Sequence, residues 1–231
     1  MTKEFKTHEN RVAGRYVMKL FFGIIFIISP ILTIYYGCET TQETYETDAA
    51  VLLKLGADFF KMGQPDRAID YIDKAIELNP RLAEAYHTRG IIFNSKGAFD
   101  KAIIDYTKAI EINPRDAKAY NNRGVAFKEK GRHDKAISDY NAAIKINPSY
   151  AKAHTNRGNS YAYQGHYDKA IADYNKAIEL NPGYAEAYYN RGWIYIEKGQ
   201  QDKTCSDWKR ACELGFVCEN YELAKGSGVC N

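Results

Sequence analysis

Between Asp134 and Ile146 the apolar residues Ala136, Ile137, Tyr140, Ala143, Ile144 and Ile146 recur with the three-and-four rhythm of a wide apolar helix face. Just upstream, Ala117 to Lys130 is a second strong helix former with Tyr120, Val125 and Phe127 on one side. Gly131 separates the two, because glycine accepts the left-handed conformation that closes a helix. Asp134 stands where the later helix opens, and a carboxylate there is expected to cap free amides and oppose the positive end of the helix dipole. Asn147-Pro148 ends the helix, since the residue before proline is pushed out of helical geometry. This block predicts a helical hairpin.

The hairpin returns at a fixed spacing. Asn79-Pro80, Asn113-Pro114, Asn147-Pro148 and Asn181-Pro182 are each 34 residues apart. Gly63, Gly97, Gly131, Gly165 and Gly199 keep the same step, as do Gly56, Gly90, Gly124, Gly158 and Gly192. Asp66, Asp100, Asp134, Asp168 and Asp202 each stand before a basic residue at the start of a second helix. The register defines five repeats over 49–218, namely 49–82, 83–116, 117–150, 151–184 and 185–218. A period of this length with helical patterning predicts an all-α solenoid of ten helices, and a solenoid presents a surface instead of enclosing a pocket. Small Gly124, Ala136 and Ala143 leave room for two helices to approach and for Tyr120, Phe127 and Tyr140 to fill the gaps.

The recurring Ala-Xaa-Ala-Tyr of Ala117 to Tyr120, with Gly124, Phe127, Gly131, Ala136, Tyr140, Ala143 and Pro148, resembles the tetratricopeptide repeat family. That resemblance implies a right-handed superhelix of about five antiparallel helix pairs, with a concave groove that commonly holds a peptide or a partner helix. By analogy the groove is expected to be lined by Asn121, Asn122, Thr155, Asn156, Asn159, Tyr189, Asn190 and Trp193. Asn122, Asn156 and Asn190 make a row one period apart, and an amide can hold the backbone of an extended peptide without choosing its side chains. Tyr163, Tyr189 and Trp193 offer stacking or apolar anchors. The bland alternative is a solvated polar face. The family's clamp for chaperone tails needs paired lysine and asparagine, which Leu53 with Ala57 and Thr155 with Asn159 do not supply.

Two positions depart from the family pattern together. Arg89, Arg123, Arg157 and Arg191 precede the first-helix glycine, and Asp105, Asp139, Asp173 and Asp207 stand in the second helices. The first repeat breaks both rules, with Leu55 and Tyr71. Slots that switch together suggest contact, so the expectation is a ladder of Arg-Asp pairs between packed helices. The alternative is an arginine row for phosphate or acidic peptides.

Residues 1–48 lie outside the repeats. Lys3, Lys6, Arg11, Arg15 and Lys19 precede the apolar stretch Leu20 to Tyr36, and Gly37-Cys38 follows. A basic region, a short apolar core and a small residue describe an export signal. The stretch is short for a spanning helix, which takes ~20 residues. Cysteine after glycine resembles the lipobox of bacterial lipoproteins and makes Cys38 the expected lipidation site, although Tyr35 replaces a smaller aliphatic residue. Translation from Met18 would give a signal of ordinary length. An uncleaved membrane anchor and an ordinary cleaved signal are the alternatives, and 38–48, rich in Thr and Glu, reads as a tether. The expected location is the bacterial cell envelope, facing the periplasm or exterior.

Charge changes the picture little. The chain holds 32 Lys and Arg against 29 Asp and Glu; residues 1–37 contain five and two of these, which leaves 27 of each from Cys38 onward. No concentrated basic face for nucleic acid is evident. The histidines have no metal-ligand spacing, His154 occupies a slot held elsewhere by Tyr86, Tyr120 and Tyr188, and no cofactor is expected.

Cysteines point to an oxidising compartment. Cys205, Cys212, Cys218 and Cys230 crowd the C-terminus behind the export signal, without the short pairs of zinc sites. Cys205 and Cys212 lie two helical turns apart, about 10.5 Å, too far to join. With a break at Leu214-Gly215-Phe216 and a helix returning over 219–225, the nested pairing Cys212–Cys218 inside Cys205–Cys230 is expected. Ala-Cys-Glu-Leu-Gly at 211–215 also resembles Sel1-type repeats, which use disulfides across helix hairpins, so 219–231 reads as a cap. The function expected from all this is a non-enzymatic, membrane-anchored scaffold for a protein or peptide, in envelope or pilus assembly. The alternative is an accessory enzyme of cell-wall metabolism.

Overall fold

The computed structural model describes residues 48–216, 218–227 and 230, and these are all-α. The leader, Cys38 and most of the tether lie outside the described residues. Eleven helices are present among them: α1 (48–61), α2 (Pro65–Leu78), α3 (Ala83–Ser95), α4 (Phe99–Ile112), α5 (Ala117–Glu129), α6 (His133–Ile146), α7 (Ala151–Tyr163), α8 (Tyr167–Leu180), α9 (Ala185–Glu197), α10 (Gln201–Glu213) and α11 (Glu219–Gly226). None of the described helices is long and apolar enough to cross a membrane.

The chain divides into two compact blocks between Leu82 and Ala83. The first contains the hairpin α1–α2, where Gly56 faces Ile72 so tightly that an added methyl would sit 2.6 Å from Ile72 Cγ1. Phe59 stacks on Tyr71 with ring centres 5.0 Å apart. The second block contains four hairpins and α11. Within it α3 packs on α4, α5 on α6, α7 on α8 and α9 on α10, and each hairpin packs on the next.

The hairpins close because a small residue on the first helix meets a ring on the second. An added methyl on Gly90, Gly124 or Gly158 would lie 2.7, 2.6 or 2.8 Å from Cε1 of Tyr106, Tyr140 or Tyr174. At Gly192 the ring is Trp208, 2.6 Å away. Because Tyr140 is fully buried, its ring has no room to yield. Gly124→Ala is therefore expected to destabilise the second block by ~1–3 kcal/mol, as overpacking does, measured by urea denaturation.

The turns explain the second set of glycines. Gly97 has φ 72°, its N–H bonds Asn94 O, and Ala98 N–H bonds Phe93 O. This is the Schellman closure of a helix. Ala98 is at the same time the N-cap of α4, so Asp100 falls at the second helical position. The capping expected of Asp66, Asp100, Asp134, Asp168 and Asp202 is thus not found; these sit in the first turn, and the N-cap residues make no side-chain hydrogen bond to the helix N–H groups. They still oppose the helix dipole. Asp100 bonds Lys130, Asp134 accepts from Gln164 Nε2 at 2.8 Å, and Asp168 accepts from Lys198 Nζ at 2.5 Å. Asp116 does form a side-chain cap on α5, accepting from the backbone N–H of Lys118 and Ala119. The Asn-Pro asparagines fix the turns that follow them, since Oδ1 of Asn113, Asn147 and Asn181 accepts the backbone N–H of Arg115, Ser149 and Gly183.

Candidate binding surface

In the second block successive first helices touch one another directly: α3 meets α5, α5 meets α7, and α7 meets α9. The second helices make no comparable layer. The first-helix layer is therefore the inner, more tightly packed side, the side that curvature makes concave in helical solenoids.

Amides knit that layer together. Asn156 Nδ2 donates to Asn121 Oδ1 at 2.9 Å, Asn121 Nδ2 donates to Asn122 Oδ1 at 3.2 Å, and Asn122 Nδ2 lies 2.9 Å from His87 Nε2. Farther along, Asn159 Oδ1 accepts from both Asn190 Nδ2 (2.9 Å) and Tyr174 OH (2.7 Å). Asn121 and Thr155 are fully buried and Asn156 nearly so. These three consequently do not line an accessible groove, which corrects the sequence expectation. The amides of Asn121 and Asn156 join neighbouring first helices instead of waiting for a peptide backbone, and Thr155 is buried beside them. Asn122, Asn159, Tyr189 and Asn190 remain partly accessible.

With Asn122 donating to it, His87 Nε2 must act as an acceptor, so the ring is neutral there. Burial, the largest influence, holds the His87 pKa below its ordinary value, although Asp116 and Glu84 pull the other way. As pH falls, the unfolded chain takes up this proton before the folded one does. His87 therefore costs stability as pH drops from the ordinary imidazole range toward the lower folded value. Thermal unfolding of the native protein should fall more on acidification from about pH 7 to pH 5 than that of His87→Gln, which keeps an acceptor.

The recurrent arginines and aspartates meet as forked pairs between the helices of each of the four hairpins in the second block. Asp105 accepts from Arg89 Nε and Nη2 at 2.8 and 2.7 Å, and Asp139 accepts from Arg123 at 2.8 Å on both oxygens. Asp173 accepts from Arg157 at 2.8 and 2.6 Å, and Asp207 from Arg191 at 2.7 and 2.6 Å. The third arm reaches the preceding repeat: Arg123 to Thr107 Oγ1, Arg157 to Asn141 Oδ1 and Arg191 to Asn175 Oδ1. The guanidinium forks of all four arginines are thus turned onto protein carboxylates. His154 Nδ1 also approaches Asp173, at 3.4 Å, and its Nε2 faces Pro148 O at 3.2 Å.

Of the seven large apolar side chains exposed among the described residues, Trp193, Ile196 and Phe216 lie in the fifth repeat, and Met62, Ile104, Tyr163 and Leu223 lie elsewhere. Trp193 is 42% and Ile196 41% exposed. Trp193 packs edge-on against the buried Trp208 at 5.2 Å, and Tyr189 contacts Trp193, Trp208 and Phe216. Tyr163, at the C-terminal end of α7, instead stacks on His133 with ring centres 3.9 Å apart. The cap adjoins this cluster. Asn220 Nδ2 on α11 donates to Tyr189 OH at 2.7 Å, a contact with no signature in the local sequence. Cys212 and Cys218 are bridged across the Gly215 turn with Cα atoms 4.6 Å apart, and Cys205 and Cys230 with Cα atoms 5.4 Å apart. Among the described residues no group of three or more metal-capable side chains comes together.

Models described as tetratricopeptide repeat match residues 49–82, 151–184 and 173–205, and a TPR repeat model matches 90–131 and 124–165. The crystal structure of MamA is 30% identical with TM-score 0.63, over 69% of this chain and 94% of that one. YrrB, described as a TPR protein with an unusual peptide-binding site, is 23% identical with TM-score 0.60, over 77% and 91%. PilW, described as a widely conserved type IV pilus biogenesis factor, is 20% identical with TM-score 0.70, over 78% and 86%. A search of curated proteins gave no match. The chain belongs to the tetratricopeptide repeat family.

Proposed function

We propose that this protein is a non-enzymatic scaffold that holds a protein or peptide on its first-helix layer, presented from the bacterial cell envelope by its N-terminal segment. The observation that carries this reading is the tryptophan at the surface of that layer: a large ring left 42% exposed while braced from beneath by Trp208. A rigid, half-exposed aromatic with a polar rim is the kind of anchor that dominates protein interfaces. YrrB's described peptide-binding site and PilW's described role in pilus biogenesis agree with a partner-binding role in envelope or pilus assembly. Panning a displayed random peptide library against the full chain tests it. Selected peptides should shift NMR amide signals on α3, α5, α7 and α9; shifts confined to the second helices, or no binders, would count against it.

The anchor is a separate part of the proposal and rests on Gly37-Cys38 behind the basic and apolar leader. Cys38→Ser is expected to abolish palmitate labelling and leave the precursor uncleaved. Unchanged labelling would remove the lipoprotein reading and favour an uncleaved anchor.

A further inference from the structure

We infer that the fifth repeat takes an apolar segment flanked by lysine or arginine, with its apolar side chain on Trp193 and Ile196 and its cations on Glu186 and Glu197. The inference deepens the scaffold reading and rests on it.

Glu186, Asn190, Trp193 and Glu197 follow one another on α9 at steps of four, three and four, so they share one stripe of the helix. Tyr189 and Ile196 flank that stripe on one side. The exposed indole is therefore bracketed along its own helix by two carboxylates. Among the described residues neither carboxylate is in an ion pair; Glu186 accepts from Tyr184 OH at 3.1 Å, and the neighbouring Lys198 is turned onto Asp168. Two unpaired anions around a half-exposed aromatic ring favour a cation beside an apolar group, and the ring face adds cation–π attraction. They disfavour an acidic peptide, nucleic acid or an anionic lipid surface.

This combination is not a property of every repeat. One period earlier, Lys152, Asn159, Ala162 and Tyr163 stand where Glu186, Trp193, Ile196 and Glu197 stand in the fifth. Two periods earlier the set is Lys118, Val125, Lys128 and Glu129. The fifth repeat is thus the acidic and aromatic end of a layer whose middle carries lysines. A bound segment would find its cationic, apolar subsite here and a different one alongside.

The test uses the full chain and two fluorescein-labelled amphipathic peptides with the same leucine face, one with lysine and one with glutamate on its polar face. The lysine peptide should bind at least about tenfold more tightly, a difference of about 1.4 kcal/mol. Its affinity should fall with added salt. Trp193→Ala and the double variant Glu186→Gln/Glu197→Gln should each remove most of that preference, and the double variant, which touches no packed ring, should leave thermal unfolding unchanged. Equal binding of both peptides, or a lysine preference that survives the double variant, overturns the inference. Failure of both peptides, when panned peptides still bind elsewhere on the first-helix layer, overturns the inference and leaves the scaffold reading standing. Failure of every peptide on that layer sinks both.

Discussion

Asp173→Ala is expected to destabilise the second block by ~3–5 kcal/mol, the cost of leaving one member of a buried ion pair without its partner. Asp173 is 5% exposed and receives two bonds from Arg157 and one from His154. Burial alone would raise its pKa; the hydrogen bonds from Arg157 and then His154 outweigh it and bring the value below the ordinary one. A depressed carboxylate contributes stability that is present above the ordinary carboxylate value and is lost as pH falls through the folded one. The loss on mutation should therefore be complete at neutral pH and shrink in strong acid. Arg157→Lys should also be costly, since an ammonium cannot reproduce the fork onto Asp173 while reaching Asn141. In urea denaturation the double variant Arg157→Ala/Asp173→Ala should lose less than the sum of the single variants. A loss below about 1 kcal/mol for Asp173→Ala would mean the pair behaves as a surface salt bridge.

Opening the outer disulfide is the second large effect. Cys205 and Cys230 are separated by 25 residues, and closing a loop of that length contributes about 3 kcal/mol by restricting the unfolded chain. Cys205→Ser should release the C-terminal segment, weaken the contact of Asn220 with Tyr189, and make α11 and the fifth repeat sensitive to protease. Repeats two to four should survive, because solenoids couple mainly through nearest neighbours. Limited proteolysis with peptide mapping of the unreduced protein checks both points. Simultaneous loss of all repeats would contradict the nearest-neighbour account.

The repeat is legible in the sequence because its constraints are local or recur at one period. A left-handed glycine, an Asn-Pro stop and a small residue opposite a ring each leave a fixed residue in a fixed place. The N-caps are harder to place, because the residue after each turn glycine serves two helices at once and moves Asp100 and its equivalents into the first turn. Asn121, Thr155 and Asn156 depart from expectation for a different reason. Period alone locates a helix face to within about one residue, or 100°, and here that rotation separates the groove from the packed seam between first helices. The partner of Asn156 is Asn121, 35 residues away, and nothing in the local pattern names it. Trp193 is singled out by the sequence, and the structure adds that its ring is half-exposed and rests on Trp208. Its two flanking carboxylates, Glu186 and Glu197, acquire meaning only when the stripe on α9 is seen beside the exposed ring.

The central claim, that a partner lies on the first-helix layer, is tested most directly by site-specific photo-crosslinking in the native cell. A photoreactive phenylalanine would be placed at Asn159 and Trp193 on first helices, and at the exposed positions Ile104 and Ala172 on second helices. The account predicts one common adduct, identified by mass spectrometry, from Asn159 and Trp193 and none from Ile104 or Ala172. Adducts confined to the second-helix positions would contradict it.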